Sequence, residues 1–197
     1  MARVLLPVEL AAGDPADIPA RSEPLRFPHG QPADDARLVR AAHAGDTRAF
    51  SCLYERYARV VHGVLLARGR RVDVDDLVQD VFLVAWRRLG DLRDPAAFGG
   101  WLLSIARNRA TDARRRERAF AELPEDLAGG APASAVSDAR AALEAIRSLP
   151  DAYRETLMLR LVEGLTGPEI AERTGLTPAS VRVNLHRGMK LLREKLG

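Results

Sequence analysis

The chain has 197 residues, room for one medium domain or two small ones, and its 47% hydrophobic but 5% aromatic content suits small, Leu/Val/Ala-rich helical packing. Its net charge of +3 is carried almost wholly by arginine, because Lys190 and Lys195 are the only lysines, and forked guanidinium donors suit phosphate. One cysteine, Cys52, excludes a disulfide framework or a cysteine zinc cluster and makes a reducing cytoplasm the expected compartment, and no apolar run reaches the ~18 residues of a membrane span.

Residues 1–33 carry six prolines from Pro7 to Pro32 with no apolar period, so a disordered extension is expected there. A short helix follows at about residue 35 and stops at Gly45, and Asp46 caps the next one. That second helix has an apolar stripe of Phe50, Leu53, Tyr54, Tyr57, Val60, Val61, Val64 and Leu65 at three- and four-residue spacing. Cys52 stands one step off the stripe, as an inert and partly buried thiol. Gly69 ends the helix, and Asp73 caps a third one whose inner face holds Val78, Val81, Phe82, Ala85, Trp86 and Leu89. Asp94-Pro95 supplies a cap and first-turn proline for a fourth helix running to about Arg118. Phe98, Leu102, Ile105, Ala106 and Ala113 face inward on it.

Residues 119–137 have Pro124, Gly129, Gly130 and Pro132 with several acids, and read as a linker. Extended, it would reach ~60 Å, so a second domain could work well away from the first. Four more helices follow in 138–197. Pro150 closes the first, and the second buries Tyr153, Leu157, Met158 and Leu161. The third opens on a capping box from Thr166 to Glu169, and the fourth on Thr177-Pro178. No segment alternates at period two. The fold expected is all-α, as two small helical domains, 34–118 and 138–197.

Three surfaces could carry function. Ile170, Ala171, Gly175, Val181 and Leu185 have the spacing of a helix-turn-helix, with Val181, Leu185, Leu192 and Leu196 on the buried face of the last helix. Its other face presents Ser180, Arg182, Val183, His186, Arg187 and Lys190, donors that suit a major-groove recognition helix. On the third helix, Asp76, Asp80 and Leu83 lie opposite the core face, flanked by Leu77 and Gln79: an apolar anchor in a charged rim. On the fourth, Arg107, Thr111, Arg114 and Arg118 face outward with Asn108 and Arg115 beside them, a surface for a phosphate backbone. Trp101, at the edge of that helix's inner face, is either core or a stacking surface for an unstacked base. Arg109 projects onto the apolar side and must snorkel or pair with a carboxylate. His29, His43, His62 and His186 share no metal-like spacing with each other or with Cys52, and neither a catalytic constellation nor a phosphate-binding glycine loop is present, so no cofactor is expected.

The segments GDTRAFSCLYERY, DDLVQDVFLVAW, FGGWLLSIARNRATDARRR and LPDAYRETLMLRLVEGLTGPEIAERTGLTPASVRVNLHRGMKLLREKL together resemble, in order, the two domains of extracytoplasmic-function (ECF) bacterial sigma factors. The resemblance covers residues 34 to 197 apart from the linker. It implies a non-enzymatic initiation factor in the cytoplasm that binds core RNA polymerase through Asp76, Leu77, Gln79, Asp80 and Leu83. It implies that the loop near 92–97 and the fourth helix, through Trp101, Arg107, Asn108, Thr111, Arg114 and Arg115, engage and help open the −10 element of promoter DNA. Ser180, Arg182, Val183, His186, Arg187 and Lys190 would read the −35 element, and an anti-sigma factor is an expected partner. Arg109, where the family more often has an apolar residue, and the proline-rich extension depart from the pattern. The rival is a dimeric helix-turn-helix regulator, which explains 138–197 but not the adjoining acidic and arginine helices.

Overall fold

A computed structural model describes residues 32–68, 74–121 and 134–196. The extension to residue 31, the Gly69 stop, the Asp73 cap and most of the linker lie outside them. Among the described residues there are helices and no strands: α1 (Pro32–His43), α2 (Thr47–Arg68), α3 (Val74–Arg87), α4 (Phe98–Ala121), α5 (Ser134–Arg147), α6 (Asp151–Leu161), α7 (Gly167–Thr174) and α8 (Pro178–Leu196). Single 3-10 turns at Leu89–Asp91 and Pro95–Ala97 join α3 to α4. The all-α expectation therefore holds.

Local chemistry sets the helix starts. Asp46 accepts the backbone N–H of Arg48 at 2.9 Å and of Ala49 at 3.2 Å, satisfying donors that the first turn of α2 would leave open. Asp94 accepts the Ala96 N–H at 3.0 Å, but the element it caps is the 3-10 turn Pro95–Ala97, so the fourth helix expected from Asp94-Pro95 begins instead at Phe98. Thr166 and Glu169 form the reciprocal capping box of α7, and Gly175 ends α7 at φ 75°, a left-handed conformation that a side chain would strain.

In the first half, α2 is the central helix. Leu53, Val60, Val61, Val64 and Leu65 are buried against Val78, Val81 and Phe82 of α3 and Phe98, Leu102, Leu103 and Ala106 of α4. The buried carboxylate of Asp35 ties α1 to α2, accepting from Arg56 Nη1 and from Tyr57 Oη, each at 2.6 Å. Burial first, and then that carboxylate, push the Tyr57 hydroxyl far above its ordinary range, so it remains a donor. In the second half, Leu157, Met158 and Leu159 of α6 pack with Ile170 of α7 and Val181, Leu185, Met189 and Leu192 of α8.

The two halves do not stand apart. α6 lies along α2, and α7 reaches α4. Glu155 of α6 takes Arg107 Nη2 at 2.6 Å and Arg68 Nη2 at 3.3 Å, while Glu163 takes His62 Nδ1 at 2.6 Å. Arg59 donates to the Glu163 carbonyl, and Arg173 donates to the Arg56 carbonyl with its guanidinium 5.3 Å from the Tyr57 ring centroid.

Several expectations need correction. Tyr54 and Trp86 belong to the apolar stripes yet are 39% and 38% exposed, forming an aromatic cluster with Phe50 and Phe82 at the outer seam of α2 and α3. Leu89 is buried, but in a 3-10 turn after α3 has ended. Cys52 is exposed rather than partly buried. Leu196 is 55% exposed on the last turn of α8, and Gly188 and Met189 are buried on its inner face instead. Tyr153 and Leu161 are only half-buried, while Thr156 and Leu159 take the deep positions on α6.

Candidate nucleic-acid interface

The three surfaces expected from the sequence differ in how free they are. On α3, Asp76, Gln79 and Asp80 are exposed and Leu83 is 53% exposed in their midst. Leu77 is not part of that face. It is 5% exposed, because Leu77, Val78, Val81, Phe82 and Ala85 form one continuous apolar arc, and its side chain supports the face from inside. Trp86, one turn beyond Leu83, extends the apolar centre toward Tyr54.

On α4, Asn108, Thr111, Arg114 and Arg115 are exposed. The Thr111 hydroxyl donates to the Arg107 carbonyl at 2.9 Å, so it leans on its own helix. Arg107 is held by Glu155, with Nε at 3.3 Å as well as Nη2 at 2.6 Å. Trp101 is half-buried with its ring centroid 6.0 Å from that of Phe98, at the rim of the core. Arg109 is half-buried and forms no ion pair with a described residue, which leaves snorkelling as its account. The Arg118 side chain lies outside the described residues.

On α8, Thr177 accepts the Ser180 N–H at 3.1 Å, and its hydroxyl lies 2.8 Å from that of Ser180. The cap thus fixes the first turn and half-buries Ser180. Arg182, Val183, His186, Arg187 and Lys190 all face solvent, with Val183 at 44%. An exposed apolar methyl pair between donors is what a groove floor accommodates, because thymine methyls lie beside base-edge acceptors.

Glu155, Glu163 and Arg173, which join the halves, have no counterpart in the sequence reading. Each sits among helix-forming residues where a charged side chain ordinarily marks a solvated face, yet each is buried. His62 is drawn in by the same contact. Its hydrogen bond to Glu163 raises its pKa above the ordinary histidine value against the opposing effect of burial. Among the described residues, no group of His, Cys, Asp and Glu could hold a metal ion, and no helix is long and apolar enough to cross a membrane.

Comparison with known proteins matches the same segments. The family description Sigma-70 region 2 matches residues 53–120, and Sigma-70 region 4 matches residues 139–192. The chain is 31% identical over 192 residues to the ECF RNA polymerase sigma factor SigK of Mycobacterium sp. (strain KMS), covering 90% of this chain and 98% of that one. It is 36% identical over 168 residues to the probable RNA polymerase sigma factor RfaY of Xanthomonas campestris pv. campestris, spanning 79% of this chain but 42% of RfaY. Among solved structures, CnrH in complex with the cytosolic domain of CnrY superposes with a TM-score of 0.52 at 27% identity, over 81% of this chain and 95% of that one. With both regions matched in order and SigK matched nearly end to end, the chain belongs to the ECF group of the sigma-70 family of RNA polymerase sigma factors.

Proposed function

We propose that this sigma factor divides its work among three helices. The Asp76, Gln79, Asp80 and Leu83 face of α3 docks on core RNA polymerase, the outer face of α4 engages and helps open the −10 element, and the exposed face of α8 reads the −35 element. On this reading residues 34–118 and 138–197 are the two working domains, the protein has no chemistry of its own, and it acts in the cytoplasm beside its polymerase. Strand opening requires an extruded base to be captured, at a cost of a few kcal/mol of unstacking offset by pocket contacts.

The observation that carries the reading is the exposed face of α8. Arg182, His186, Arg187 and Lys190 stand on one side of a capped second helix whose other side is core. CnrH is bound by the cytosolic domain of a second protein, CnrY. By that likeness a protein that holds this chain inactive is a further proposed partner.

Run-off transcription with purified core polymerase on fragments selected from genomic DNA tests the proposal. Promoter-specific transcripts that require the chain, and their loss with Asp80→Arg together with polymerase binding, are the expected result. A dimer that shifts a palindromic fragment without polymerase, and no transcript from any fragment, would support the helix-turn-helix regulator instead.

A further inference from the structure

Most of the large apolar side chains exposed among the described residues have an account. Tyr54, Leu83 and Trp86 belong to the outer faces of α2 and α3, Leu176 lies in the turn before α8, and Leu196 lies on the last turn of α8. Val183 has no such account. It stands 44% exposed in the second turn of α8. A β-branched residue is also a weaker helix former than the long polar residues usual at exposed positions, so local folding does not call for it.

Its direction is specific. At ~100° per residue, Val183 points away from the mean direction of the buried Val181, Leu185, Gly188, Met189 and Leu192 to within ~10°. Val183 is therefore the crest of the helix, the part that goes deepest when α8 enters a groove. Ala179, one turn earlier, is exposed on the same ridge. Arg182 and His186 flank the ridge on one side and Arg187 on the other, all exposed.

The major groove offers such a crest one apolar feature, the C5 methyl of thymine. Thymine carries its O4 acceptor beside that methyl, which suits guanidinium and imidazole donors on the flanks, whereas cytosine presents an amino donor there. A valine among donors is thus complementary to thymine and mismatched to cytosine.

We propose that Val183 is a specificity determinant of the −35 contact, reading the C5 methyl group of one pyrimidine, with thymine the preferred source and 5-methylcytosine a weaker one. The inference rests on the proposed −35 role of α8 and adds the chemical group that its crest takes. Four residues of helix rise ~6 Å and stacked bases lie ~3.4 Å apart, so the pyrimidine lies within about two base pairs of the pair contacted by Arg187. Burial of one methyl-sized group changes affinity about four-fold. The same contact makes binding respond to C5 methylation of a cytosine at that position.

The test uses holoenzyme reconstituted from the full chain and core polymerase, titrated by anisotropy onto labelled promoter fragments recovered by run-off selection. On either strand of the −35 element, each thymine is replaced in turn by deoxyuridine, which removes only the methyl, and each cytosine by 5-methylcytosine, which only adds it. All four pyrimidines are then compared at the responsive position. The wild type should bind thymine about four-fold more tightly than deoxyuridine, and 5-methylcytosine about four-fold more tightly than cytosine, with thymine the tightest. With Val183→Ser both ratios should fall to about one, and Val183→Thr, which keeps one γ-methyl, should give intermediate ratios. Each protein is its own reference, so a variant with a lower active fraction still reports them. Wild-type ratios near one at every −35 pyrimidine, while Arg187→Gln still alters −35 preference, would mean that α8 reads the element without a methyl contact. A methyl effect that persists in Val183→Ser belongs to DNA shape or another side chain and overturns the role of Val183. A −35 preference unchanged by both Arg182→Ala and Arg187→Gln removes the α8 reading itself, and the methyl contact with it.

Discussion

His62 of α2 and Glu163, two residues past α6, stand 2.6 Å apart on opposite halves of the molecule. The hydrogen bond to Glu163 raises the His62 pKa in the folded chain, with the Asp75 carboxylate adding to it and burial opposing. The linkage then has a definite sign. The contribution is fully present below the unfolded value of about 6.5 and is lost as pH rises through the raised folded value. Urea midpoints of the full chain measured across that window should therefore fall more steeply for the wild type than for His62→Gln. Every other group is common to the two proteins and cancels in the comparison. Identical pH profiles would remove the coupling.

On α3, the two leucines have opposite duties. Leu83 is 53% exposed, so Leu83→Ala should leave stability within ~0.5 kcal/mol but weaken binding to core polymerase by ~1–2 kcal/mol, the range of an apolar interface anchor. Leu77 is 5% exposed, so Leu77→Ala should cost ~2–5 kcal/mol of stability through the cavity it leaves. Urea unfolding and a polymerase-binding titration separate the two. Equal stability losses would mean that Leu83 is buried in solution.

The exposed arginines of α4 and α8 should betray phosphate contacts in salt dependence. With the polymerase holoenzyme on a promoter fragment, Arg114→Ala should weaken binding across sequences and lower the log–log salt slope by about 1. A base-reading position behaves differently. Substituting Arg187 by Gln should cost ~1–3 kcal/mol on the preferred −35 sequence and much less on altered ones. Uniform loss for Arg187 would move it to the phosphate-contacting class.

The helix-turn-helix should be sensitive at two local points. Thr166→Ala removes the capping-box acceptor of the Glu169 N–H and should cost ~1 kcal/mol. Gly175→Ala forces a Cβ into φ 75° and should cost ~1–2 kcal/mol. Both are read by thermal unfolding of the full chain. If Gly175→Ala matches the wild type, the turn is not left-handed in solution.

Much of this molecule follows from short-range signals. The caps at Asp46, Thr166 and Thr177 form as their spacing implies, and the inward faces of α2, α4 and α8 largely follow the periodicity. These features are legible because a cap or an amphipathic face depends on residues within one or two turns. The errors fall at helix edges. Leu77, Trp86 and Leu196 each lie near the boundary between faces or at an end, where the angle of a neighbouring helix decides exposure.

The sequence by itself determined the order of the helices, the caps of α2, α7 and α8, the donor-rich face of α8 and the family, whereas α4 and α5 begin at Phe98 and Ser134 rather than at Pro95 and residue 138. Only the tertiary structure decided which charged residues are free. Arg107 and Arg114 both belong to one outward arginine surface, yet Arg107 meets Glu155 from 48 residues away, and His62 meets Glu163 from 101 residues away. An ion pair requires approach within a few ångströms, and nothing local to either partner encodes which distant helix will supply it. The same holds for Gly63, whose missing side chain has meaning only once α6 lies against it.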